Sequence, residues 1–84
     1  MASILLVDDY EQLAKVLSSF LGHEHHQVCV AADGAEALAT FAAADGSFDL
    51  VITDLWMPEV DGVSLIRQLR RRHSEVKILA ISGA

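Results

Sequence analysis

Four short apolar runs, at residues 3–7, 27–31, 48–53 and 76–81, alternate with stretches of helical period. That alternation constrains the fold more than any other feature of the chain. Ser3–Val7 is apolar almost throughout, as expected of a strand buried on both faces. From Glu11 the period changes, and Leu13, Val16, Leu17, Phe20 and Leu21 fall on one helical stripe. Asp9 is placed to cap that helix and Gly22 to end it. Gln27–Ala31 alternates as a second strand, with Cys29 read as a small strand hydrophobe. Asp33-Gly34 then reads as a turn and cap for a helix carrying Ala37, Leu38 and Phe41, before a loop at 42–46. Residues 48–53 form the third strand. Val63, Ile66 and Leu69 mark the apolar face of a third helix, with Arg67 and Arg70, Arg71 and Arg72 on its solvated side. The last apolar run, 76–81, is the fourth strand.

Strand and helix at this rhythm imply right-handed βαβ crossovers and a parallel sheet, hence an α/β fold. The first strand delivers Asp8 and Asp9 and the third delivers Asp54. In an open parallel sheet, ligands sit at the carboxyl ends of the strands where the order reverses. A doubly wound, flavodoxin-like sheet of order 2-1-3-4 sets the first and third strands side by side, so the three carboxylates converge. Like charges a few ångströms apart repel and raise one another's pKa, a penalty that a divalent cation removes.

Composition narrows the classes. The chain is 52% hydrophobic before glycine is counted, against roughly 45–50% usual with glycine included, so both faces of the sheet expect cover. Eighty-four residues make one thin domain. Twelve acids against six bases give a net charge of −6, which argues against direct nucleic-acid binding, where Lys and Arg must neutralise phosphates. One cysteine makes no intrachain disulfide. The amino terminus is too short and wrongly flanked for a signal peptide, and no apolar stretch approaches the ~18 residues of a membrane span. These features fit a cytoplasmic protein. His23, His25 and His26, with Glu24 between them, lack metal-ligand spacing on a regular element and read as a solvated connection.

Asp8-Asp9, Asp54, Met57-Pro58, Asp61-Gly62 and Ser82-Gly83-Ala84, spaced in that order, resemble the receiver domain of bacterial response regulators. The likeness runs the whole length of the chain, 1–84. It implies that Asp54 accepts a phosphoryl group from a phosphohistidine on a sensor histidine kinase or phosphotransfer protein. Asp8, Asp9 and Asp54 would then hold Mg²⁺, with Mn²⁺ as a substitute, and the backbone carbonyl of Trp56 would complete the protein ligands. Met57 and Pro58 would shape the loop that aims this carbonyl, with Gly62 closing it. Ser82 would turn its hydroxyl to the phosphoryl oxygens. Asp61 reads as a turn residue and helix cap. A carboxylate is a competent nucleophile toward phosphorus, and phosphoryl transfer asks mainly for positioning and charge neutralisation. The role is that of a phosphoacceptor, not a turnover enzyme.

The chain departs from that family at its carboxyl end. Receiver domains continue through a further helix, a fifth strand ending in a lysine, and closing helices; neither Lys15 nor Lys77 can take that lysine's place. The domain is therefore read as incomplete, with strand 76–81 as a bare apolar edge and one sheet face uncovered. Exposed edges template pairing with another chain, so self-association is expected. The alternative function is a signalling-incompetent fragment that acts as an interaction or exchanged-element oligomerisation module. An aspartyl phosphatase of the haloacid-dehalogenase type wants a second acid where Trp56 stands. A nucleotide-binding module wants glycines where Asp8, Asp9 and Tyr10 stand.

Overall fold

The computed structural model describes residues 2–54, 62–72 and 76–81. Its elements run β1 (Ser3–Val7), α1 (Glu11–His23), β2 (Gln27–Ala31), α2 (Gly34–Ala43), β3 (Leu50–Asp54), α3 (Gly62–Arg72) and β4 (Lys77–Ile81). The strands are all parallel and lie in the order β2-β1-β3-β4, as the sequence predicts.

Strand register sorts the side chains into two layers. Ile4, Leu6, Leu50, Ile52, Val28 and Ile81 lie on the α1 side and pack with Ala14, Leu17 and Leu21. Leu5, Val7, Val51 and Ala31 lie on the other side, beneath Ala37 and Phe41 of α2 and Leu65 and Leu69 of α3. The central strands β1 and β3, covered on both faces, therefore need apolar residues at consecutive positions, which explains their unbroken runs.

Several boundaries differ from the sequence expectation. Phe48 is buried and stacks on Phe41 with ring centroids 5.7 Å apart, but it precedes β3 rather than opening it. Val76 likewise enters the core just ahead of β4. The helix α3 buries Leu65 and Leu69, one turn apart, and leaves Val63 exposed. Cys29 is exposed rather than packed, because β2 is an outer strand. Arg70 donates from Nη1 to the Val76 carbonyl, so it ties α3 to the start of β4 instead of only facing solvent.

The ends of α1 are corrected too. Its N-cap is Tyr10, with no side-chain cap bond, and Asp9 lies one residue outside. Gly22 sits inside the helix and does not end it. Glu24 is the C-cap, and His25 takes the left-handed conformation at φ 65°. The His25 N–H donates to the Gly22 carbonyl and the His26 N–H to the Leu21 carbonyl, both 3.0–3.1 Å. This is the double-bonded helix stop in which glycine usually supplies the left-handed residue. His26 is half-buried, and its Nδ1 accepts from the Ala2 N–H at 3.0 Å. The connection read as solvated is therefore partly a structural clasp. The start of the second helix matches its reading, Asp33 capping it by accepting the Glu36 N–H at 2.8 Å, while its end runs on through Ala43, into the stretch read as a loop from 42.

Candidate functional site

The acids at the ends of β1 and β3 are brought together by register. Ile4 pairs with Leu50 and Leu6 with Ile52, so two more residues along each strand set Asp8 beside Asp54. Asp8 is still held to the sheet, its N–H donating to the Ala31 carbonyl at 3.0 Å. Both carboxylates are buried, at 2% and 7% exposure, whereas Asp9 is exposed on the loop. One carboxylate oxygen from each of the three lies within 4.8 Å of the other two. Among the described residues, no other set of three potential metal ligands meets this closely, and the histidines around Glu24 do not.

The electrostatics of Asp8 are unfavourable for a bare carboxylate. Burial pushes its pKa up, and the charges of Asp54 and Asp9 add to that; the Tyr10 N–H, donating to Oδ1 at 2.8 Å, opposes them only in part. Asp8 Oδ2 is buried and has no hydrogen-bond partner. Native proteins rarely leave such an atom unsatisfied, because a buried polar group without a partner costs about 1–3 kcal/mol. An oxygen-seeking divalent cation would supply the missing partner and neutralise the cluster. Mg²⁺ takes oxygen ligands, commonly one or two carboxylates, and keeps several waters. The residues present therefore fit such an ion.

Two contributions around the acids are not evident from sequence motifs. One is the Tyr10 backbone N–H, which donates to Asp8 Oδ1. The other is Thr53, wholly buried, whose hydroxyl donates to the Asp54 carbonyl at 3.1 Å. A hydroxyl in an otherwise apolar strand, immediately before an acid, was the available signal. Of the other sequence-predicted site residues, Gly62 opens α3. Trp56, Met57, Pro58, Asp61 and Ser82 lie outside the described residues.

Comparisons with known proteins agree with this fold. The family profile described as "Response regulator receiver domain" matches residues 4–84. Sensor kinase CckA of Brucella abortus is 37% identical over 82 residues, covering 98% of this chain and 9% of the kinase. Crystalline TrrA of Thermotoga maritima, in complex with Mg(2+)-BeF, superposes with a TM-score of 0.92 at 32% identity, covering 100% of this chain and 71% of that one. A second TrrA structure, in complex with histidine kinase ThkA, gives a TM-score of 0.90 over 99% of this chain and 70% of that one. The chain spans 9–35% of the length of the curated relatives it matches. With the sheet order, the paired acids and the profile in agreement, the chain belongs to the response regulator receiver domain family.

Proposed function

We propose that this chain takes a phosphoryl group from a phosphohistidine onto Asp54, as the receiving step of a two-component or phosphorelay system in the cytoplasm. The donor is a sensor histidine kinase or a phosphotransfer protein. In the step, an Asp54 carboxylate oxygen forms a bond to phosphorus while the bond from phosphorus to the imidazole nitrogen breaks, and its electron pair stays on the ring. The observation that carries this reading is the cluster itself: Asp54 lies within 4.8 Å of two further acids, one of which has a buried, unpartnered oxygen.

Asp8, Asp9 and Asp54 would hold Mg²⁺, which supplies positive charge to the equatorial oxygens of the transferring group. Tyr10 fixes the Asp8 carboxylate through its N–H, and Thr53 holds the Asp54 backbone carbonyl. We also assign the Trp56 carbonyl, Met57, Pro58, Gly62 and Ser82 the roles that the family resemblance gives them. Mn²⁺, with the same charge and preference for oxygen, is the expected substitute. Incubation with acetyl phosphate and Mg²⁺ tests the proposal. A phosphoryl mass gain that disappears in Asp54→Asn is expected; a gain that persists in that variant overturns Asp54 as the acceptor.

A second reading has its own observation. On the α1 side of the sheet, Leu79 of β4 is 52% exposed, and Val16 and Phe20 of α1 are 65% and 60% exposed. Among the described residues no strand pairs with the outer edge of β4. We propose that this face and edge support self-association. Light scattering that finds a monomer at high concentration overturns it.

A further inference from the structure

On the β2 side of α1, a groove of about 580 Å³ opens beside the acid cluster. Ala14 and Ser18 of α1 form one wall, Val30 and Ala32 form the floor, and Asp8 and Asp9 close the end nearest the site. The volume falls within the roughly 300–1,000 Å³ typical of small-molecule sites, which are mostly apolar with a few convergent polar groups. Val30 shares a sheet face with the buried Leu6, yet 43% of it is exposed, because α1 stands off from it across the groove. An apolar floor left in water is a standing cost that an apolar ligand removes.

The charge at the groove's end selects the ligand. Lys15, on the same wall, is already paired with Glu11 at 3.4 Å. Among the described residues no cationic side chain pairs with Asp8 or Asp9. Asp8 is the buried lining residue whose Oδ2 has no partner. An anion is repelled here, and a neutral ligand satisfies only the floor. We propose that this groove binds a small amphipathic organic cation, its apolar body on the exposed Val30 and Ala32 and its ammonium group on Asp9, beside Asp8. Resting on the reading of the acids as a divalent-cation site, the proposal makes the two cations antagonists. Each lowers the affinity of the other by the same factor.

The test titrates 2-phenylethylammonium chloride into the ¹⁵N-labelled chain without divalent ions and follows amide shifts by NMR. Saturable shifts at Ala14, Ser18 and Val30 are expected, weakened about tenfold by Ser18→Phe, which fills the groove. Val30→Thr keeps the β-branched shape on an outer strand and guards against a variant that fails to fold; it should weaken the amine as well. The uncharged analogue 2-phenylethanol should bind about tenfold more weakly. Equal binding of the alcohol overturns the proposal, as do absent saturation or shifts confined to Asp8 and Asp9 and untouched by either variant. A parallel Mg²⁺ titration separates the two readings. Mg²⁺ binding without amine binding removes the groove and keeps the metal site. Amine binding without Mg²⁺ binding removes the metal site, and independent binding of both overturns the antagonism.

Discussion

The two faces of the sheet are built from the same strands and are covered differently. Beneath α2 and α3, Leu5, Val7, Val51, Leu65 and Leu69 are essentially out of water, together with Phe41 and Phe48. Beneath α1, only the part over β1 and its neighbours is closed, while Leu79 and the flank of α1 carrying Val16 and Phe20 remain wet. Two helices can roof one face; one helix of 13 residues cannot roof the other. The strand residues on the open face are at least as apolar as those on the closed one, so hydrophobic pattern alone does not tell a closed face from an open one.

The sharpest way to break this contrast is a matched pair of truncations. Leu5→Ala on the closed face should cost about 2–5 kcal/mol of unfolding free energy, the range for a buried leucine. Leu79→Ala, made at a site more than half exposed, should cost about 0.5 kcal/mol or less. Urea melts measure both. A large cost for Leu79→Ala would mean that a second copy covers it in solution, and the cost would then grow with protein concentration.

The next largest effect is metal linkage at the open face's carboxyl edge. Mg²⁺ at 100 times its dissociation constant should stabilise the fold by about 2.7 kcal/mol. Asp8→Asn should abolish that gain and leave the metal-free protein more stable than the parent, since the charge it removes is buried and repelled. Thermal melts with and without Mg²⁺ check both statements.

The pH dependence follows from the raised pKa of Asp8. The folded state holds the Asp8 proton more tightly than the unfolded chain does. Its contribution to stability is therefore full below the ordinary carboxylate range and is lost as pH rises through the folded pKa. Without divalent ions, stability should fall with rising pH across that window, and Asp8→Asn should flatten the fall. Saturating Mg²⁺ should reverse the slope, because the ion prefers the ionised form. A parent profile that coincides with that of Asp8→Asn would remove Asp8 as the cause.

A smaller test compares helix starts. Asp33→Ala removes the bond to the Glu36 N–H and should cost about 1 kcal/mol. The start of α1 has no such side-chain bond to lose, so Asp9→Ala should change the metal-free stability by about 0.5 kcal/mol or less.

Much of this was legible in the chain. The order of the strands followed from where the acids stood, since only adjacency of the first and third strands gives Asp8, Asp9 and Asp54 a common purpose. The unbroken apolar runs of β1 and β3 are legible because those strands are buried on two faces, whereas β2 and β4, at the edges, are apolar yet largely exposed. What the pattern could not supply was termini. Asp9 looks like a cap, but Asp8 accepts the Tyr10 N–H and leaves Asp9 free for the loop. Gly22 looks like a stop, but the left-handed residue is His25, three positions later. Phe48 and Val76 belong to the core without belonging to strands, because burial and ladder hydrogen bonding are separate requirements. Val16 and Phe20 match the helical period and are still exposed, because period reports what a face could bury and not whether a neighbour exists.

The helix stop at His25 has an engineering corollary. A left-handed conformation at a residue with a Cβ costs roughly 1 kcal/mol relative to glycine, and Asp45, at φ 54°, sits in the same posture after α2. Meanwhile Gly22 occupies a helical position where an added methyl group would meet nothing within 4 Å. Glycine is thus spent where alanine would serve and withheld where it would help. Exchanging these assignments offers headroom in thermal tolerance at sites remote in sequence from the acids.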